Sequence, residues 1–126
     1  MQSGAARWSA GGWLDGVRVL RSPNCDRRPL GVAVDLLVVH NISLPPGQFG
    51  TEAIDALFTN SLDPQADPFF ATLTGLRVSS HFLVARDGGI TQYVGCDERA
   101  WHAGASTFAG RTGCNDFSIG VELVGS

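Results

Sequence analysis

Cysteine is scarce in this sequence: 126 residues hold three, Cys25, Cys96 and Cys114, odd in number and with no C-x-x-C pair. That pattern excludes a disulfide framework and a cysteine-rich zinc knuckle, and it fits a reducing compartment. Positive charge is also in short supply, with nine Lys and Arg against twelve Asp and Glu for a net charge of -3. A mildly acidic surface draws neither nucleic acid nor an anionic membrane, so the expected partner is small or neutral. No apolar run approaches the ~18 residues that span a bilayer. The opening "MQSGAARWSAGGWLDG" lacks the unbroken apolar core of a signal peptide, and the chain is expected to be cytoplasmic. Internal repeats and low-complexity segments are absent as well.

What is present describes one ordinary globular domain, with 44% apolar residues, three Trp and 17% charged residues. Residues 1–31 are rich in Gly, Arg, Ser and Pro and read as an irregular lead-in, with at most a short strand at "VRVL". Residues 32–126 carry the sheet core and the long loops. "DLLVVH" is a continuous Leu and Val run, which predicts a central strand covered on both faces. Thr51 is placed to cap a helix whose Ile54, Leu57, Phe58 and Leu62 recur at helical spacing, with Asp63-Pro64 as its stop. "ADPFFATLTGL" allows one further helical turn.

In "SSHFLVARDGGITQYVG" two alternating runs flank an Asp-Gly turn, which predicts hairpin strands at about residues 80–86 and 89–94. "CDERAWHAGASTFAGRTGCND" then reads as a long surface loop. Finally "FSIGVELVG" alternates, with Phe117, Ile119, Val121 and Leu123 on one face and Ser118, Gly120 and Glu122 on the other.

The candidate chemistry begins with Glu122. Ser118 and Gly120 are too small to fill the space over their face of the strand, which predicts a depression with a carboxylate on its floor. A carboxylate buried without a partner pairs, binds metal or rises in pKa, and a raised pKa suits a general base near neutral pH. An edge-strand glutamate facing solvent is the plain alternative. His40 closes a buried strand, a position where α/β sheets open ligand crevices, and a neutral imidazole there can hold zinc. His81 alternates with Leu83 and Ala85 and reads more simply as a core histidine. His102, beside Trp101 on the long loop, suits contact with a planar or sugar ligand, although a Trp that only anchors its loop is equally common. By spacing alone the three histidines could hold zinc with Glu122 as base, but no fixed-interval metal motif ties them together. Ser118 lacks the elbow of a serine hydrolase, and no cysteine has an electropositive setting.

Together, "VVHNISLPPGQFG", "ALFTNSLDPQADPFF", "LRVSSHFLVARDGGITQYV" and "RAWHAGASTFAGRTGCNDFSIGVEL" resemble the cytoplasmic 1,6-anhydro-N-acetylmuramoyl-L-alanine amidases of peptidoglycan recycling, from about residue 18 onward. The resemblance implies an α/β fold, a mixed central β-sheet flanked by helices with a zinc cleft on one face. It implies Zn2+ as cofactor with His40 as one metal ligand, and Glu122 as the acidic catalytic residue. Asn41, Arg77, Trp101, His102 and Ala103 match positions at the muropeptide groove, and His81 matches a structural one. The family's other zinc ligands, a His and an Asp, and a catalytic lysine fall beyond Ser126, so the expectation is an incomplete domain, deficient in metal and activity, with apolar sheet surface left bare. A non-catalytic muropeptide-binding module of the same fold is the alternative. A secreted amidase of the same chemistry is opposed by the missing signal peptide and the unpaired cysteines.

Overall fold

The computed structural model describes residues 6–125. The elements run in the order β1 (Trp8–Ser9), β2 (Trp13–Leu14), β3 (Arg18–Val19), β4 (Cys25–Arg27), β5 (Leu36–Ile42), α1 (Glu52–Phe58), α2 (Pro68–Ala71), β6 (Phe82–Val84), β7 (Ile90–Gln92), β8 (Glu98–Ala100), β9 (Thr107–Phe108), β10 (Arg111–Thr112), a 3₁₀ turn (Cys114–Phe117) and β11 (Ser118–Val124). The main sheet has the order β3-β7-β6-β11-β5. It is mixed: β11 runs parallel to both its neighbours, whereas β6 and β7 are antiparallel.

The apolar run expected to form a central strand covered on both faces forms β5 instead, at the edge of this sheet. The strand between neighbours is β11. A Leu and Val run announces burial on two sides, but in β5 only the side of Leu36, Val38, His40 and Ile42 is half-buried, while Leu37 and Val39 are 62% and 53% exposed.

Helix α1 starts where the sequence predicts, although Thr51 contributes its carbonyl to Asp55 N–H and no side-chain cap. It ends before Leu62. The Thr59 hydroxyl turns back to the Asp55 carbonyl at 2.8 Å, as it can within a helix, and it is Asn60, left-handed at φ 61°, that stops another helical turn. Asp67 caps α2 by accepting from Phe69 N–H, with Pro68 in the first helical position. The hairpin falls inside its expected limits; Gly88, at φ 87°, supplies the left-handed turn residue.

Tyr93, Phe58, Ile54, Leu57, Leu83 and Val124 form the core between α1 and one sheet face, with the Phe58 and Tyr93 rings edge to face at 4.9 Å. Asp55 ties the layers together by accepting from Tyr93 Oη at 2.6 Å and from the Arg18 guanidinium. On the opposite face the β1–β2 hairpin covers β7 and β6: Gln92 donates to the Gly12 carbonyl and accepts from Leu14 N–H, and Trp8 meets Phe82 edge-on. The half of that face built by β5 and β11 is bare, with Leu37, Val39 and Leu123 exposed.

Candidate active site

In the parallel β5–β11 ladder Glu122 is the register partner of His40, so both side chains project from the same sheet face, the one α1 covers. On its other side Glu122 pairs in register with Leu83. Only 7% of Glu122 is exposed, and burial among these neighbours pushes its carboxyl up to about 7.

The depression over Ser118 and Gly120 is filled by the ring of His102. A β-carbon placed on Gly120 would lie 2.5 Å from that ring, so only glycine admits it. The His102 Nδ1 lies 3.2 Å from His40 Nε2, and its Nε2 lies 3.0 Å from Ser118 Oγ. Burial, with His81 and His40 nearby, pushes His102 down to about 3, so the ring is neutral across the physiological range.

His102 reaches this seat because its loop is tied down. Arg99 forks onto Asp26 through two bonds of 2.7 and 2.6 Å and onto Asp116 at 2.6 Å. The Trp101 indole N–H also donates to Asp26, and Asn115 Oδ1 accepts from the backbone N–H groups of both His102 and Ala103. The segment expected to be a surface loop is therefore pinned at four points and contains β8, paired with β4.

His81 is wholly buried beside His102, with ring centroids 6.2 Å apart. Its Nδ1 accepts from Gly120 N–H at 3.0 Å, and its Nε2 donates to the Glu98 carbonyl at 2.8 Å, which fixes the neutral tautomer. Burial pushes it down to about 4. Arg28 lies against it at 3.3 Å and satisfies itself on the carbonyls of Cys96, Asn115, Asp116 and Ser118.

His40, His102 and Ala103 line a groove of about 390 Å³ between β5 and the loop carrying Phe108 and Cys114. The other expected site residues are elsewhere. Asn41 alternates onto the opposite sheet face from His40, and Trp101 is half-buried against Asp26. Arg77 borders a separate cavity of about 120 Å³ lined by Leu57, Phe70 and Leu73. Ser118, Asn115 and Arg28 were not marked as site residues by the sequence; only the small size of Ser118 and Gly120 hinted that something must rest on them. Among the described residues no three His, Cys, Asp or Glu side chains converge to hold a metal. Of the three free cysteines, burial pushes the Cys96 thiol up to about 11 and raises that of Cys25, which keeps both away from the thiolate form.

Residues 30–126 match the family described as N-acetylmuramoyl-L-alanine amidase. The chain is 62% identical over 115 residues to the 1,6-anhydro-N-acetylmuramyl-L-alanine amidase AmpD of Escherichia coli (strain K12), covering 91% of this chain and 63% of that protein. It is 60% identical, over the same length, to AmpD of Salmonella typhimurium (strain SL1344), covering 91% of this chain and 62% of that one. A crystal structure of a selenomethionine AmpD derivative superposes with a TM-score of 0.91 at 57% identity, covering 95% of this chain and 66% of the other. The chain thus spans somewhat less than two thirds of the length of these relatives.

Proposed function

The chain belongs to the N-acetylmuramoyl-L-alanine amidase family, and from that membership we propose that its site serves hydrolysis of the amide joining a 1,6-anhydro-N-acetylmuramic sugar to L-alanine, in the cytoplasmic recycling of peptidoglycan. The observation that carries this reading is the in-register pair of His40 and Glu122 on one sheet face, with the Glu122 carboxyl raised to about 7. A carboxylate poised there takes a proton from the attacking water and returns it to the departing amine, a transfer that typically contributes 10²-fold to 10⁴-fold.

Ala103 and His102, on the groove wall, are proposed as muropeptide contacts, with Trp101 behind them. Arg77 would meet a distal part of the ligand; Asn41, on the other sheet face, has the least geometric support. The resemblance implies Zn2+ with His40 as one ligand. A catalytic zinc takes three protein ligands and an open position, and the donors among the described residues do not complete that set.

That same observation favours a second reading, a non-catalytic muropeptide-binding module of the same fold. Incubation with an anhydro-muramyl peptide and saturating Zn2+, read by mass, separates the two. With the zinc donor set incomplete, the expected result is slow release of a peptide with a new L-alanine N-terminus, abolished in Glu122→Gln while ligand binding persists. Binding without cleavage supports the module, and cleavage that survives Glu122→Gln overturns the assignment of the base.

A further inference from the structure

Arg77 and the stretch from Trp101 to Ala103 are the muropeptide contacts proposed outside β5, and one buried serine joins them. Ser79, only 1% exposed, follows Arg77 by two residues. Its backbone N–H donates to the Trp101 carbonyl at 3.0 Å, and its Oγ accepts from the Trp101 N–H at 3.1 Å. The single proton of the same hydroxyl goes to the Asn24 carbonyl at 2.6 Å. Sealed from solvent, Ser79 meets no ligand, so whatever it does for the groove it does through Trp101.

The mooring point, Asn24, is itself 2% exposed and fully engaged. Its Nδ2 donates to the Val78 carbonyl at 2.8 Å and to Asn60 Oδ1 at 2.9 Å, while its Oδ1 accepts from Asn60 Nδ2 at 2.9 Å. Asn24 Nδ2 and the Ser22 hydroxyl also reach the Phe58 carbonyl, at the end of α1. The end of the helix, the stretch carrying Arg77 and the backbone of Trp101 are thereby tied to one side chain. From the other direction, Asn115 Oδ1 accepts from the N–H groups of His102 and Ala103, which line the groove. Residues 101–103 are thus slung between Ser79 and Asn115. Without the Ser79 oxygen the Trp101 N–H loses its acceptor, and the sling is held at one end only.

We propose that Ser79 is a positioning residue for the groove: moored on Asn24, it fixes the backbone of Trp101 and through it the placement of His102 and Ala103 on the groove wall. The proposal deepens the amidase reading and rests on it only for what the groove holds. One arm of its test uses no ligand, so the two can fail separately.

The test compares amide hydrogen exchange, followed by NMR, in the unaltered chain and in Ser79→Ala, a dispersed spectrum showing the fold intact. Exchange at Trp101 should quicken by about tenfold, the effect of one lost hydrogen bond. Exchange at His102 and Ala103, to which Ser79 makes no hydrogen bond, should quicken with it, and affinity for an anhydro-muramyl peptide should fall severalfold. A serine that serves stability alone would lower the unfolding midpoint and leave His102, Ala103 and the affinity at their parent values, which overturns the proposal. An unaltered chain that binds no such peptide counts against the amidase reading, and exchange at His102 and Ala103 then decides the proposal alone. Should Ser79→Ala fail to fold, exchange of the unaltered chain in low urea decides it: the Trp101, His102 and Ala103 amides are expected to open as one unit. Trp101 opening independently of the other two would overturn the proposal.

Discussion

Glu122 and His40 occupy the same rung of the parallel β11–β5 ladder and face the same side of the sheet. Burial holds the Glu122 carboxyl near 7 against an ordinary value of 4.5, so the folded state binds this proton more tightly than the unfolded one. The associated stability is present below about pH 4.5 and is lost as pH rises through about 7. Glu122→Gln, which carries no charge to desolvate, should therefore be more stable than the parent at pH 8, by on the order of 2 kcal/mol, and close to it at pH 5. Urea unfolding at the two pH values measures this. A difference that does not depend on pH would mean that the carboxylate is already solvated in the folded chain.

His81 works in the opposite direction. Its folded value near 4 lies below the ordinary 6.5, so stability is full above about pH 6.5 and declines as the unfolded chain takes up the proton on the way down to 4. His81→Ala removes a bond to Gly120 and another to the Glu98 carbonyl and leaves a cavity, an expected loss of roughly 2–4 kcal/mol at pH 7.5. Because the Glu122 and His81 slopes oppose each other between pH 4.5 and 6.5, the comparison to make is parent minus variant. That difference should shrink as pH falls from 6.5 to 4.5; a constant difference would place the His81 proton elsewhere.

The parts of this architecture that could be read from the sequence are those set by neighbours along the chain. The alternation of residues 117–123 put Glu122 on a buried face beside Ser118 and Gly120, and the Asp-Gly turn located the β6–β7 hairpin. Strand order was not readable: a Leu and Val run looks alike at the centre of a sheet and at an edge with one bare face, and β5 is the latter. The depression over Gly120 could be foreseen, but not its occupant. His102 arrives there only because Arg99 reaches Asp26, 73 residues away, and because Asn115 holds two backbone N–H groups. Three-residue strands such as β4 and β8 carry too little periodicity to be seen at all.

Asn115 is accordingly expected to matter for ligand binding. Asn115→Ala frees the N–H groups of His102 and Ala103, at a cost of about 1–3 kcal/mol. Amide hydrogen exchange at those two positions should speed up, and affinity for an anhydro-muramyl peptide should fall severalfold. Asn115→Asp keeps the accepting oxygen and should retain most of that affinity. Loss of affinity in Asp as severe as in Ala would show that the oxygen is not what holds the loop.

Metal retention tests the donor set directly. With no three ligating side chains converging among the described residues, the dialysed chain should keep well under one zinc per molecule by elemental analysis. Stoichiometric zinc that disappears in His40→Ala would mean that donors gather around His40 in solution more closely than these positions allow.

The bare half of the sheet leads to a final expectation. Leu37, Val39 and Leu123 project from it together, at 62%, 53% and 38% exposure, and among the described residues no strand pairs with the outer side of β5. Exposed apolar side chains beside an open strand edge favour association with another chain. Light scattering should therefore show mass rising with protein concentration. Val39 is the position to alter because strand alternation turns its side chain away from His40 and Glu122 toward solvent; since it also borders the groove, the variant is read by association and stability and not by ligand binding. Val39→Lys should suppress the concentration dependence while changing folding stability by no more than about 0.5 kcal/mol, the usual range for a surface substitution. If the variant associates as strongly as the parent, the contact lies on another surface and the bare sheet face is not its cause.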